Sequence, residues 1–292
     1  MPRKSLAGIG LKLGSVSFFV SMFALIKLAG SVPTGQVVFY RSVFAMLPIL
    51  AFLVLRRELA MALKTSRPLG HVGRGLCGSA SIGLTFLALA YLPLSDAIMF
   101  GYAQPLFAVA LGAIMLGEIV RPSRWLAVLA GLAGVAVVAW PGLTIFSGEG
   151  FDGHQAIGAG AAIGGAFATA CSVLMLKALV ETERSSTIVL WFSLTSTGFA
   201  LATFPFGWAD LSDEQTLLLA LGGFAGGMAH VLVTESLRHA DMSMLAPLDY
   251  TSVLIGPVLG YLLFAELPTL HMLVGGTMIA SAGLFLIWTE RR

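Results

Sequence analysis

Residues 8–27 read GIGLKLGSVSFFVSMFALIK, and residues 158–177 read GAGAAIGGAFATACSVLMLK. Gly8, Gly10, Gly14 and Lys27 return 150 positions later as Gly158, Gly160, Gly164 and Lys177. These stretches open the first and sixth of ten apolar runs, at about 6–29, 35–55, 72–92, 95–117, 124–142, 155–178, 186–206, 214–236, 242–265 and 269–289. Each is close to the roughly 20 residues that cross about 30 Å of hydrocarbon at 1.5 Å per residue.

The repetition continues at a shift of 148. It pairs Gly75 with Gly223, Gly78 with Gly226, Leu89 with Leu237, Ser95 with Ser243 and Tyr102 with Tyr250. Gly112 and Gly260, Glu118 and Glu266, and Trp140 and Trp288 extend the series. Single matches mean little in a chain rich in Gly and Leu, but an ordered series that includes Tyr, Trp, Glu and Lys is hard to obtain by chance. Five runs per repeat is an odd number, so the second repeat enters the bilayer from the opposite face. The expectation is an all-α integral membrane protein of ten helices, with repeats at 1–142 and 155–292 inverted about an axis in the membrane plane.

Composition agrees. Of 292 residues, 57% are hydrophobic and 11% charged, against roughly 25% charged in soluble domains. The net charge of +2 comes with no basic stripe, which argues against nucleic acid. Cys77 and Cys171 sit in apolar runs, with no CxxC or zinc spacing, so no metal, cofactor or disulfide framework is expected.

Loop charge predicts orientation. Arg3 and Lys4 precede the first run, and the even-numbered gaps hold Arg56, Arg57, Lys64, Arg67, Arg74, Arg121, Arg124, Arg184 and Arg238, with Arg291 and Arg292 at the end. The opposite loops carry only acids: Asp96, Glu149, Asp152, Asp210, Asp213, Glu214 and Glu266. Both termini are therefore expected in the cytoplasm. The first run follows two cations like a signal peptide, but it matches the sixth and no A-x-A site follows, so it reads as a helix.

Buried ionisable groups mark candidate chemistry. Arg41 lies inside the second run, where a central Arg costs roughly 2.5–3.5 kcal/mol on insertion scales and needs a partner or a watery cavity. Its repeat mate is Phe192, so symmetric packing does not require the charge. Asp249, beside Tyr250, has Gly101 as its mate; His230 and Glu235 have Ile82 and Leu87. Such one-sided polarity suits an asymmetric ligand, although Glu235 could instead pair with Arg238 and a lone His can be a packing residue. Lys27, Lys177, Glu118 and Glu266 read as interfacial residues at helix ends. Pro105, Pro247 and Pro257 fall in the fourth and ninth runs as kinks or hinges. Gly10/Gly14, Gly160/Gly164, Gly222/Gly226 and Gly256/Gly260 offer small-residue packing faces. Phe18, Phe19 and Phe23, with Tyr102 and Gln104, suggest an aromatic-lined cavity for a small amphipathic molecule. Tyr102, Gln104, His230, Asp249, Tyr250 and Arg41 are the candidate substrate contacts, and Asp249 and His230 the candidates for proton coupling.

The segments FYRSVFAMLP around Arg41, FLALAYLPLSDAIMFGYAQPLFAVALGAIMLGE ending at Glu118, and LLFAELPTLHMLVGGTMIASAGLFLIW around Glu266 resemble the drug/metabolite transporter superfamily in its ten-helix EamA-type branch. Where that family often has a proline matching Pro105, this chain has Val253. The resemblance implies two inverted repeats around a central cavity lined by the third, fourth, eighth and ninth helices, the others moving around it. It implies a secondary transporter in the bacterial inner membrane that exports small metabolites, neutral and aromatic amino acids above all, by alternating access; a monomer is the expected state, though no residue pattern decides it. Besides a non-transporting assembly subunit, against which the one-sided buried charges argue, two alternatives stand beside it. One is uptake of organic anions or nucleotide-type metabolites, with Arg41 as anion site. The other is an intramembrane enzyme on a lipid-linked substrate, which would need paired acids, a metal cluster or an activated nucleophile that the sequence does not offer; the expectation is not an enzyme.

Overall fold

The computed structural model describes residues 3–55, 57, 59–92, 97, 100–140, 153–264 and 270–291, and these are helical or lie in turns, with no strand among them. The helices are α1 (Arg3–Leu28), α2 (Thr34–Leu55), α3 (Pro68–Tyr91), α4 (Gln104–Met115), α5 (Pro122–Ala139), α6 (Gly153–Val180), α7 (Ser185–Leu201) and α8 (Asp213–His239). A ninth path, α9, runs as an α-turn (Met242–Leu245), a 3-10 stretch (Ala246–Thr251) and an α-helix (Ser252–Phe264); α10 is Leu270–Arg291. Each coincides with one of the ten apolar runs. Among the described residues, seven stretches are long and apolar enough to cross a membrane, and α4 and α7 are apolar but shorter. Helices are the form expected in lipid, because each satisfies its own backbone polar groups.

Local chemistry sets the breaks. The fourth run was expected as one helix over 95–117 with Pro105 inside. Instead α4 begins at Gln104, after a turn at Tyr102–Ala103, and Pro105 occupies its first turn. Proline lacks an N–H and is tolerated there because first-turn donors have no intrahelical acceptor. Gly117, at φ +65°, takes the left-handed conformation that ends the helix. In α9 the 3-10 stretch begins at Ala246 with Pro247 in its first turn. The irregularity therefore sits before Val253, the residue that matches Pro105 under the repeat shift. Pro257 and Gly260 lie within the helix Ser252–Phe264, and the Pro257 side chain lies outside the described part. Glu266 and the acidic loop residues Asp96, Glu149 and Asp152 are also outside the described residues, as are Arg56 and Arg292.

The chain sorts into two compact units, each drawing on both halves of the sequence. The first comprises Met1–Leu6, Cys77–Leu174 and Ala240–Arg292, so it holds α4, α5, α9 and α10. Here a Cβ built on Gly275 would stand 2.4 Å from the Gly134 carbonyl oxygen, so α5 and α10 meet backbone to backbone. Ala88, Leu92, Ala97, Ala161 and Ala162 form a small-residue core between α3 and α6.

The second unit comprises Ala7–Leu76 and Met175–His239, and holds α1, α2, α7 and α8. A Cβ on Gly227 would stand 2.4 Å from the Ala45 carbonyl oxygen, and one on Gly223 2.6 Å from Phe44 Cβ. Gly222 and Gly226 face Met22 of α1 instead. In lipid the hydrophobic effect does not drive helices together, so such close approach supplies the packing energy. Not every expected glycine face is tight: Gly10, Gly160 and Gly256 have nothing within 4 Å of a built Cβ, and Gly14 and Gly164 meet only one leucine methyl each, at 3.4 and 3.5 Å. The spacing gives a small-residue face but not which face a neighbour uses.

Candidate functional site

The first unit gathers Tyr102, Asp249 and Tyr250 where two helical paths are interrupted. The Tyr102 hydroxyl and Ser252 Oγ lie 3.1 Å apart, and the Tyr250 hydroxyl donates to the Tyr102 carbonyl at 3.2 Å. The two rings, repeat mates at the 148-residue shift, are 5.9 Å apart at 40°. Ser252 donates to the Asp249 carbonyl at 2.7 Å and Thr251 to that of Leu248 at 2.6 Å. These hydroxyls satisfy carbonyls that a 3-10 stretch leaves without α-helical donors. Tyr250 is fully buried, its ring filling the space a Cβ on Gly131 would take, 2.3 Å from Cδ2. Tyr102, Gln104 and Asp249 are half-buried, with Gln104 opening α4 two residues from Tyr102.

The second unit gathers Arg41 and His230. Arg41 is half-buried, about seven residues or 10 Å into α2. Its Cγ lies 3.7 Å from a Cβ built on Gly226, one turn before His230 on the same face of α8. The Phe192 ring meets both the Arg74 guanidinium and the His230 imidazole. The imidazole is flanked by Phe19, edge-on at 5.1 Å, and by Phe192 at 4.8 Å. Both of its nitrogens are buried without a hydrogen-bond partner among the described residues, as is the Ser42 hydroxyl next to Arg41. No hydrogen bond or ion pair joins the Arg41 side chain to any described residue. An unsatisfied buried polar group costs about 1–3 kcal/mol, and a charged one more. Of the other first-helix aromatics Phe18 is half-buried, whereas Phe23 is 61% exposed and points away from any lining role.

The helix ends are pinned by side chains. In the first unit Glu118 accepts the Met242 and Ser243 N–H groups at 2.8 and 2.9 Å, placing a carboxylate on the N-terminus of α9. Buried Arg124 reaches Asp241 at 3.1 Å and Ser243 at 2.7 Å. In the second unit Lys177 donates to the Leu237 carbonyl at 2.6 Å, so it binds a backbone terminus rather than extending freely to the interface. Arg238 stands 3.6 Å from Glu235, as the sequence suggested, and also holds the Val180 carbonyl at 2.8 Å. Glu183 accepts from the Thr65 hydroxyl at 2.8 Å and from Ser66 N and Oγ at 2.9 Å. Burial pushes this carboxyl upward, but those hydrogen bonds outweigh it and hold the group below the usual carboxylate value.

The EamA-like transporter family model matches residues 6–140 and 156–289. The chain belongs to that family. This EamA-like protein is therefore a multi-pass membrane transporter. It is 29% identical to a riboflavin transporter of Rhizobium johnstonii, over 98% of this chain and 90% of the relative. It is 28% identical to the pseudopaline exporter of Pseudomonas aeruginosa, over 96% and 95% of the two chains. An S-adenosylmethionine uptake transporter of Rickettsia prowazekii is 26% identical over 88% of this chain and 84% of its own. A solved crystal structure of 20% identity shares the fold at a TM-score of 0.84 over 98% of each chain. The relatives' names are those of transporters, not enzymes.

Two residues of this EamA-like chain were read differently from sequence. Arg74 counted as a loop charge, yet it is buried in α3, 3% exposed, donating to the Ile188 carbonyl at 3.1 Å with its guanidinium 4.3 Å above the Phe192 ring. Phe192 counted only as the uncharged mate of Arg41, yet it lies between Arg74 and His230. The His71-x-x-Arg74 spacing, which places both on one helical face, was the available signal.

Proposed function

We propose that this EamA-like protein exports small amino-acid-like metabolites, neutral and aromatic amino acids foremost, across the bacterial inner membrane by alternating access. In this reading its repeats, 1–142 and 155–292, are inverted and both termini are cytoplasmic. The meeting of Tyr102 with Tyr250, mates under the repeat shift, supports the inversion, because residues near a two-fold axis meet their own mates.

The observation that carries the substrate reading is a ring-rich polar setting: His230, its nitrogens without partners among the described residues, between Phe19 and Phe192, and Arg41 nearby with no hydrogen bond or ion pair to a described residue. An amino acid offers a carboxylate to the cation and apolar or aromatic surface to the rings. Tyr102, Gln104, Asp249 and Tyr250 are the second group of contacts, and Asp249 and His230 the groups that would carry a coupled proton. Riboflavin and S-adenosylmethionine, the cargoes named for two relatives, are planar-ring compounds with polar substituents, which is compatible chemistry. The names include both an exporter and uptake transporters, so export is this reading's own choice. A second reading, uptake of organic anions or nucleotide-type metabolites, is favoured by the same unpaired Arg41. Purified protein in proteoliposomes tests both: preloaded neutral or aromatic amino acid should drive counterflow of the labelled compound, whereas counterflow by organic acids or nucleotides alone supports the second reading.

A further inference from the structure

We propose that Arg41 and His230 form a carboxylate-binding site within the second unit, with Phe19 and Phe192 as its walls and Arg74 as the residue that positions Phe192. The assignment rests on the transporter reading for its purpose, but its geometry stands alone.

A guanidinium in a membrane-spanning helix keeps its charge and calls for an acceptor. Arg41 has none among the described residues. A neutral imidazole has one donor and one acceptor nitrogen, and at His230 neither is used. The two groups lie where α2 packs on α8, a close approach that Gly223 and Gly227 allow. A carboxylate answers this set: one anionic fork accepts two N–H bonds from the guanidinium and one from the imidazole. A cationic ligand is disfavoured by both nearby guanidiniums. Arg74 donates to the Ile188 carbonyl from one terminal nitrogen and lies over the Phe192 face. It therefore holds the aromatic wall rather than the ligand, and Phe192 in turn fixes the imidazole plane. The surrounding rings favour a carboxylate on an apolar or aromatic body over inorganic phosphate.

The test is a melting titration of the purified full chain with matched probes: phenylalanine against phenethylamine, tryptophan against tryptamine, then 3-phenylpropionate and inorganic phosphate. The acids should raise the apparent melting temperature, while the amines and phosphate leave it unchanged. Arg41→Gln should weaken acid binding about tenfold or more, as loss of a charge-assisted pair does. His230→Phe keeps the ring between Phe19 and Phe192, so it should fold like the parent yet bind acids more weakly; it carries the test alone if Arg41→Gln does not fold. Arg74→Gln should weaken acids and reduce the discrimination among ring-bearing probes. Acid binding undiminished in His230→Phe, or amines or phosphate binding as well as the acids, overturns the site. If acids bind through Arg41 and His230 while no amino acid shows counterflow, the export reading falls and the site remains.

Discussion

Replacing Gly227 by alanine adds one methyl group at the closest backbone approach of α2 and α8. That carbon would stand 2.4 Å from the Ala45 carbonyl oxygen, 2.8 Å from its Cα and 3.0 Å from its carbonyl carbon. All three are backbone atoms, so no side chain can turn aside. Restoring ordinary contact moves α2 back by about 1 Å, and a gap of that size forfeits a quarter to a half of each dispersion well it opens. The same stretch of α2 presents Ile49 and Leu53, which pack with Val189 and Leu190 of α7, so the displacement loosens a second contact. Overpacking of this kind costs about 1–3 kcal/mol. At roughly 2–4 °C per kcal/mol for a chain of 150–250 residues, the apparent melting temperature should fall by several degrees. Gly160→Ala is the internal control: its built Cβ meets nothing within 4 Å, and the position is exposed. There alanine should be neutral or slightly stabilising, because glycine costs a helix interior about 1 kcal/mol. Both variants are melted in the same detergent at one scan rate, since membrane proteins often unfold irreversibly. A Gly227→Ala protein as stable as Gly160→Ala would falsify the backbone-contact reasoning.

Other substitutions probe different parts of the account. Glu118→Ala removes the acceptor of two N–H groups at the start of α9 and should lower stability by about 1–2 kcal/mol, read as a reduced melting temperature; an unchanged value removes Glu118 as the cap. Asp249→Asn should abolish transport driven by a pH gradient while counterflow persists, and intact gradient dependence takes Asp249 out of proton coupling. The Glu183 carboxyl is held below its ordinary value, so it contributes stability above the unfolded-state pKa and loses it as pH falls through the depressed folded value. Glu183→Gln should therefore cost stability at neutral pH and flatten the decline on the acid side; parallel curves for parent and variant contradict that role.

The ten helices were legible because membrane helices must be continuous apolar runs, and Gly, Pro and charges punctuate them. What the runs hid was interior irregularity. The turn at Tyr102–Ala103 and the 3-10 stretch from Ala246 fall inside apolar sequence, where hydropathy is blind to hydrogen bonding. Charge patterning placed Arg74 and Arg124 near helix ends but treated them as loop cations; both are buried, and their acceptors, Ile188 O and Asp241, lie far away in sequence. The Gly-x-x-x-Gly spacing fits two overlapping pairs, Gly222/Gly226, which faces α1, and Gly223/Gly227, which faces α2 more tightly, and the spacing alone does not rank them. One-residue offsets around a helix are invisible without its neighbour. The candidate site was partly legible, because broken symmetry singled out Arg41 and His230. The aromatic wall was not, since Phe192 among 19 phenylalanines carries no mark until a guanidinium and an imidazole lie against it.

The most direct measurement is counterflow by the purified chain alone in sealed proteoliposomes. Vesicles preloaded with a neutral or aromatic amino acid should accumulate the labelled compound transiently above the external concentration, and the Arg41→Gln protein should not support it. Vesicles that show no counterflow with any amino acid, while taking up organic acids or nucleotides, would contradict amino-acid export as the function of this EamA-like protein.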